Sequence, residues 1–160
     1  MEVIVKYAYI QGGINLFSAI SNEFITIRDW HRAVVGGKEL ILRNTSALEH
    51  LQLFVGYVHE TQIDVYAKEK GNFDNVNYYI VNNFKNIEYI RIQNVLCTSI
   101  NQTFNDMLSQ DDVDEQSLLE ALNSYYFTHG KTFSGLNLIP RNLARFNDIK
   151  QMAIEYYKED

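Results

Sequence analysis

The chain has 160 residues, 46% hydrophobic and 13% aromatic, which is enough apolar material for one packed core and too little length for two comfortable ones. A formal net charge of -6 excludes a uniformly basic surface that coats nucleic acid without regard to sequence. Cys97 is the single cysteine, so an intramolecular disulfide and a cysteine-rich zinc site are both ruled out and a reducing compartment is expected.

In chain order, Met1–Ile10 alternates weakly, is interrupted by Glu2 and Lys6, and carries no secretory-signal pattern. No stretch approaches the roughly 18 consecutive apolar residues of a membrane span, so no membrane partner is expected and the cytoplasm is the expected location. Gly12 and Gly13 break the alternation, and Ile14–Ile20 is a short apolar segment with helical spacing. Phe24–Val35 is rich in β-branched and aromatic residues, Gly36-Gly37 supplies a permissive turn, and Lys38–Arg43 continues as strand. This pattern predicts a β-hairpin.

At Asn44 the apolar period changes from two to about 3.6. Leu48, Leu51 and Phe54 or Val55 fall on one face, and Ser46 with Glu49 has capping-box spacing, which predicts a helix entered at Thr45 and ending near Gly56. Three strand-like runs follow, Ile63–Lys68, Tyr78–Phe84 and Ile87–Leu96, read as antiparallel neighbours. A second capped helix starts at Thr98, with Ser99 and Gln102 in capping-box spacing and Phe104, Met107 and Leu108 on one face. The acidic run Asp111, Asp112, Asp114 and Glu115 suits the positive end of a third helix carrying Leu118, Leu122, Tyr125 and Tyr126. Pro140 opens a last helix with Leu143, Phe146, Ile149, Ala153 and Tyr156 or Tyr157 on its apolar face. The expected fold is one α+β domain over 1–160: an N-terminal β-hairpin, a helix, a three-stranded mainly antiparallel sheet and a C-terminal group of three helices.

The search for chemistry yields no catalytic centre, metal site or cofactor motif. His31, His50, His59 and His129 lack the spacing of a metal helix, and neither G-x-S-x-G nor a phosphate-binding glycine loop occurs. Cys97 follows an apolar strand, where a buried inert thiol is ordinary. Asp64 with Lys68, Glu69 and Lys70 echoes a metal-dependent nuclease, in which carboxylates hold Mg²⁺ and a lysine meets the scissile phosphate. In the hairpin, strand alternation places Arg28, Trp30 and Arg32 on one face with Lys38 and Arg43 near by. Such a face could hold phosphates with the guanidinium groups while the indole stacks, making DNA a candidate partner. The alternative is an exposed sheet face on which arginine lies over the indole. Paired tyrosines at 125–126 and 156–157 could anchor a homo-oligomer or, equally, fill a core.

The segment Thr45-Ser46-Ala47-Leu48-Glu49-His50-Leu51-Gln52-Leu53 resembles the S-A-L-E-x-x-G-L segment of abortive-infection antitoxins of the AbiEi type. Ile63-Asp64-Val65-Tyr66 is similar to that family's next strand, and Val95–Leu108, with Thr98, Ser99, Gln102, Thr103 and Asp106, resembles its v-T-S-x-e-R-T-l-x-D-l-l segment. The resemblance covers roughly residues 44–125. Gln52 stands where the family usually has glycine, and Gln102 where it usually has arginine. The resemblance implies an antitoxin-like domain over 44–160, with 1–43 as a remnant of a winged helix whose wing would be the hairpin. It further implies a non-enzymatic regulator of a type IV toxin-antitoxin or phage-defence system, with a nucleotidyltransferase-like toxin as functional partner.

Overall fold

Thr26 and Asp29 cap one another at the head of the first helix, and this local pairing decides the conformation of the segment that follows. The Thr26 hydroxyl accepts from the Asp29 amide at 3.2 Å, and the Asp29 carboxylate accepts from the Thr26 amide at 3.3 Å. Helix α1 then spans Ile27–Val35. Positions 27, 30, 31, 34 and 35 repeat with helical period, and Trp30, His31, Val34 and Val35 are buried. The expected hairpin over residues 24–43 is therefore corrected to a helix, the Gly36-Gly37 turn and a single short strand, and its reading as a wing falls with it. Gly36 ends the helix against the Arg32 carbonyl so closely that an added Cβ would collide with it.

The computed structural model describes residues 9–10, 13–14, 26–54 and 62–158. Strands β1 (Tyr9–Ile10) and β2 (Gly13–Ile14) form a small antiparallel pair, and most of the apolar run 14–20 lies outside the described residues. The main sheet contains β3 (Ile41–Leu42), β4 (Ile63–Ala67), β5 (Val76–Ile80), β6 (Tyr89–Ile92) and β7 (Val95–Thr98), in the order β5-β4-β3-β7-β6. The expected three-stranded, mainly antiparallel sheet is thus a five-stranded mixed sheet. Strands β4 and β5 run parallel, as do β3 and β7, while β3-β4 and β6-β7 are antiparallel. A five-residue strand is only roughly 16 Å long. The loop 68–75 can reach about 27 Å when extended, so it returns the chain for a parallel pairing without a crossover helix. The run Ile87–Leu96 is not one strand, because Gln93, at φ 52°, makes a tight turn with Asn94 and folds it back.

Helix α2 (Asn44–His50) follows β3 directly, and α3 (Ile100–Leu108), α4 (Glu115–Thr128) and α5 (Pro140–Glu155) complete the chain. The α+β class stands. One core lies under α1, where Trp30, Val34 and Val35 meet Leu42, Ile63, Val65 and Val95. The other gathers Leu48 of α2 with Phe104, Met107, Leu118, Leu122, Phe146 and Ile149. Leu143 is 44% exposed while its neighbour Asn142 is 2% exposed, so the α5 face is rotated from the expected apolar stripe. Asn142 donates to the Asn105 carbonyl at 3.0 Å and accepts from Ser109, and Arg145 donates to the Leu108 and Gln110 carbonyls at the open end of α3.

Helix α2 begins without a side-chain cap, at Arg43, so the expected entry at Thr45 with a Ser46–Glu49 box is corrected. The Ser46 hydroxyl instead accepts from the Asp64 amide at 3.0 Å and ties α2 to β4. At the other end Gln52 takes φ 59°, the left-handed conformation that glycine adopts without a Cβ penalty. Gln52→Gly is expected to raise the unfolding free energy by about 1 kcal/mol in urea titration. A loss of stability would show that the Gln52 side chain outweighs the strain.

Candidate functional site

Strand alternation divides the central strands into two faces. Ile63, Val65 and Ala67 of β4 enter the α1 core, so Asp64 and Tyr66 face the opposite side. Their neighbours on β5 are Asn77 and Tyr79. Arg43, whose amide donates to the Asp64 carbonyl at 2.9 Å, projects from the end of β3 on that side. Its guanidinium lies over the Tyr66 ring at 4.4 Å and the Tyr79 ring at 4.2 Å from the centroids. Arg43 is only 7% exposed, its Nε has no partner, and no hydrogen bond or ion pair to its guanidinium is found among the described residues.

Beneath this stack lies Asp106 of α3. Gln102 donates to its carboxylate at 2.8 Å, and burial raises its pKa, opposed by the Tyr66 hydroxyl, Gln102 and the Arg43 charge. The same burial, with the Asp106 charge, pushes the Tyr66 hydroxyl up as well. Gln102 also accepts from the Glu88 amide at 3.0 Å, linking α3 to the start of β6. Ser99, one residue after the expected entry at Thr98, is the N-cap of α3 and accepts from the Gln102 amide at 3.1 Å, but the Gln102 side chain turns to Asp106 and Glu88, so the expected capping box is only half formed. Thr98 and Thr103 hydroxyls pair at 2.7 Å in the interior. The two family-like segments, some fifty residues apart in sequence, therefore meet: Cys97 Sγ donates to the Ala47 carbonyl at 3.6 Å, Ser46 holds β4, and Leu48 packs with Phe104 and Met107.

A cleft of about 360 Å³ opens beside the stack, lined by Arg43, Tyr79, Asp64, Asn77, Asp112 and Asp114 among others. Its floor includes Asn44, held at φ 50° by a reciprocal amide pair with Gln110, with distances of 3.2 and 2.9 Å. The sequence gives no motif for this arrangement. Its only signals are a charged residue ending an apolar strand and tyrosines alternating with apolar residues.

A second cleft of about 330 Å³ shares Thr45, Asp64 and Asp114 with the first and reaches His31 and Glu49. His50 Nε2 and His31 Nδ1 are 3.1 Å apart, and both rings are buried. His50 Nδ1 is buried without a partner. An orphaned N–H is costlier than an orphaned lone pair, so Nε2–H of His50 is assigned as the donor and His31 Nδ1 as the acceptor. Burial, then the charge of the facing imidazole and of Arg32, lowers the pKa of His31 to about 3. Burial, then Arg32 and Arg28, lowers that of His50 to about 4. Cys97 is buried, which pushes its thiol up to about 12.

The residues of the expected phosphate-contacting face do not share one surface. Arg28, Trp30 and Arg32 lie on α1, with Trp30 in the core and Arg32 paired to Asp29 at 2.7 Å. Lys38 donates to the Val34 carbonyl at 2.6 Å, and Arg43 is buried on the far side of the sheet. For the nuclease echo, Asp64 accepts from Asn77 at 2.8 Å and Lys68 pairs with Glu39 at 3.1 Å. No three His, Cys, Asp or Glu groups among the described residues come together as a metal site, and no described helix is long and apolar enough to cross a membrane. His59 lies outside the described residues. Compared with known protein families, with curated protein sequences and with solved structures, the chain matches none.

Because both imidazoles titrate lower in the folded chain than the ordinary 6.5, the unfolded chain binds more protons between about pH 4 and 6.5. Stability should be level above pH 7 and fall with acidification, by about 2 kcal/mol per imidazole at pH 5. Chemical denaturation across pH 5 to 8 measures this. A flat profile would contradict the buried neutral pair.

Proposed function

We propose that this chain is a non-enzymatic, antitoxin-like regulatory protein of a type IV toxin-antitoxin or phage-defence system, acting in the cytoplasm with a nucleotidyltransferase-like toxin as its functional partner. The observation that carries the reading is convergence. Ser46, Ala47 and Leu48 of the first family-like segment meet β4, Cys97 and Phe104, and Tyr66 of the intervening strand lies against Asp106 of the second segment. Sequence likeness confined to unrelated surface turns would have no reason to meet in the interior. Interior polar groups are costly unless joined, so the Ser46–Asp64 and Cys97–Ala47 bonds fix the mutual placement of the elements that carry them.

DNA contact is not part of the proposal, since the basic residues considered for it are dispersed or buried. Catalysis is not part of it either, because no three carboxylate, imidazole or thiol groups among the described residues gather as a metal site, and Lys68 of the nuclease echo is paired with Glu39.

The proposal predicts that the gene lies beside one encoding a nucleotidyltransferase-like toxin, and that co-expression of this chain restores colony formation to cells arrested by that toxin. A folded, abundant chain that leaves growth arrested would contradict it, as would a neighbourhood without such a toxin.

A further inference from the structure

Arg43 is an unusual guanidinium for a protein interior. Both tyrosine rings contact it through their faces, it is 7% exposed, and among the described residues its N–H groups have no hydrogen-bond acceptor, although it lines the first cleft. A buried donor left unmet costs free energy that an incoming acceptor recovers. The two rings meet at nearly a right angle, so they border the guanidinium on adjacent sides and accept none of its N–H groups in a hydrogen bond, and a planar N–H fork is the geometry that receives a carboxylate with two parallel bonds.

The rest of the cleft limits what can bring that carboxylate. Asp64, Asp112 and Asp114 line it alongside the one arginine, so a multiply charged anion such as phosphate meets more repulsion than attraction. A ligand whose negative end is closely followed by a positive one satisfies both. Asp64 is placed to receive that positive end. It gives one carboxylate oxygen to Asn77, and the other has no partner among the described residues.

Strand geometry sets the spacing. Asp64 and Tyr66 are two residues apart on one face of β4, a rise of roughly 6.6 Å. The guanidinium sits over the Tyr66 end. In an α-amino acid the ammonium nitrogen and a carboxylate oxygen are about 2.7 Å apart, and one hydrogen bond at each end gives a reach of about 8 Å along a bent path. β-Alanine, whose two charges lie farther apart, is the ligand that tests this spacing. The cleft volume of about 360 Å³ is at the small end of ligand sites.

We propose that this cleft binds an α-amino acid as its zwitterion, with the carboxylate on the N–H edge of Arg43 and the ammonium on Asp64. The inference concerns a ligand and is separate from the antitoxin reading, since toxin rescue and amino-acid binding are measured independently.

The test is titration of the full chain, by calorimetry and by NMR shifts of the Tyr79 and Asn77 signals, with each of the common α-amino acids. The controls are ethylamine, propionate, β-alanine and inorganic phosphate. At least one α-amino acid should bind about tenfold or more tightly than every control. Asp64→Asn, on the half-buried rim, should weaken it about tenfold without moving the thermal midpoint, and Arg43→Lys should abolish the carboxylate selectivity. Should Arg43→Lys fail to fold, Asp64→Asn and the control panel still decide the matter. Absence of saturation by any α-amino acid up to about 10 mM would overturn the proposal. So would phosphate or propionate binding as tightly as the best amino acid, or Asp64→Asn leaving the affinity unchanged.

Discussion

Helix α2 is seven residues long, and Ser46, Ala47, Leu48, Glu49 and His50 are all buried. A helix that short is not stable by itself, so its place is held by what surrounds it. Burial on every side also means that its polar groups must find partners inside the protein. They do so in different directions: Ser46 to the β4 backbone, His50 to His31 of α1, and the Ala47 carbonyl to Cys97 of β7. Leu48 meanwhile enters the helical core. One short helix thereby joins the sheet, α1 and the α3–α5 group.

The abrupt entry into α2 also creates the site. With β3 ending at Leu42 and the helix starting at Asn44, the chain turns within a residue, and Asn44 accepts a left-handed backbone that its amide pair with Gln110 holds in place. Asparagine tolerates that conformation better than most residues. Arg43 is left at the corner with no helix or strand to carry its side chain into solvent, and it comes to rest on Tyr66 and Tyr79. Asp106 and Gln102 approach from α3 because Thr98, Ser99 and Thr103 anchor the head of that helix to the end of β7.

Sequence patterns revealed the elements with strong local signals. Helices α3, α4 and α5 begin within a residue or two of the expected caps and proline, and Asp114 caps α4 through the Ser117 amide. The α1 segment misled because its β-branched and aromatic residues satisfy a strand composition as well as a helix period. The deciding signal, Thr26-x-x-Asp29, is a capping box of only two residues. Parallel pairing of β4 with β5 depends on loop reach, which no residue type encodes, and the fold-back at Gln93 uses a residue that rarely takes positive φ. Asn142 hid among the apolar positions of α5 because its partner Asn105 is 37 residues away. The cleft was invisible for the same reason: Arg43, Tyr66, Tyr79 and Asp106 meet only through the sheet order.

If α2 holds the two halves together, it cannot open without the whole molecule opening. Native-state hydrogen exchange of the Leu48, Glu49 and His50 amides tests this directly. Their opening free energies should equal the global unfolding free energy and fall with denaturant along the global slope. Exchange of these amides through a low-energy local opening, while the β4 and α3 amides stay protected, would contradict it.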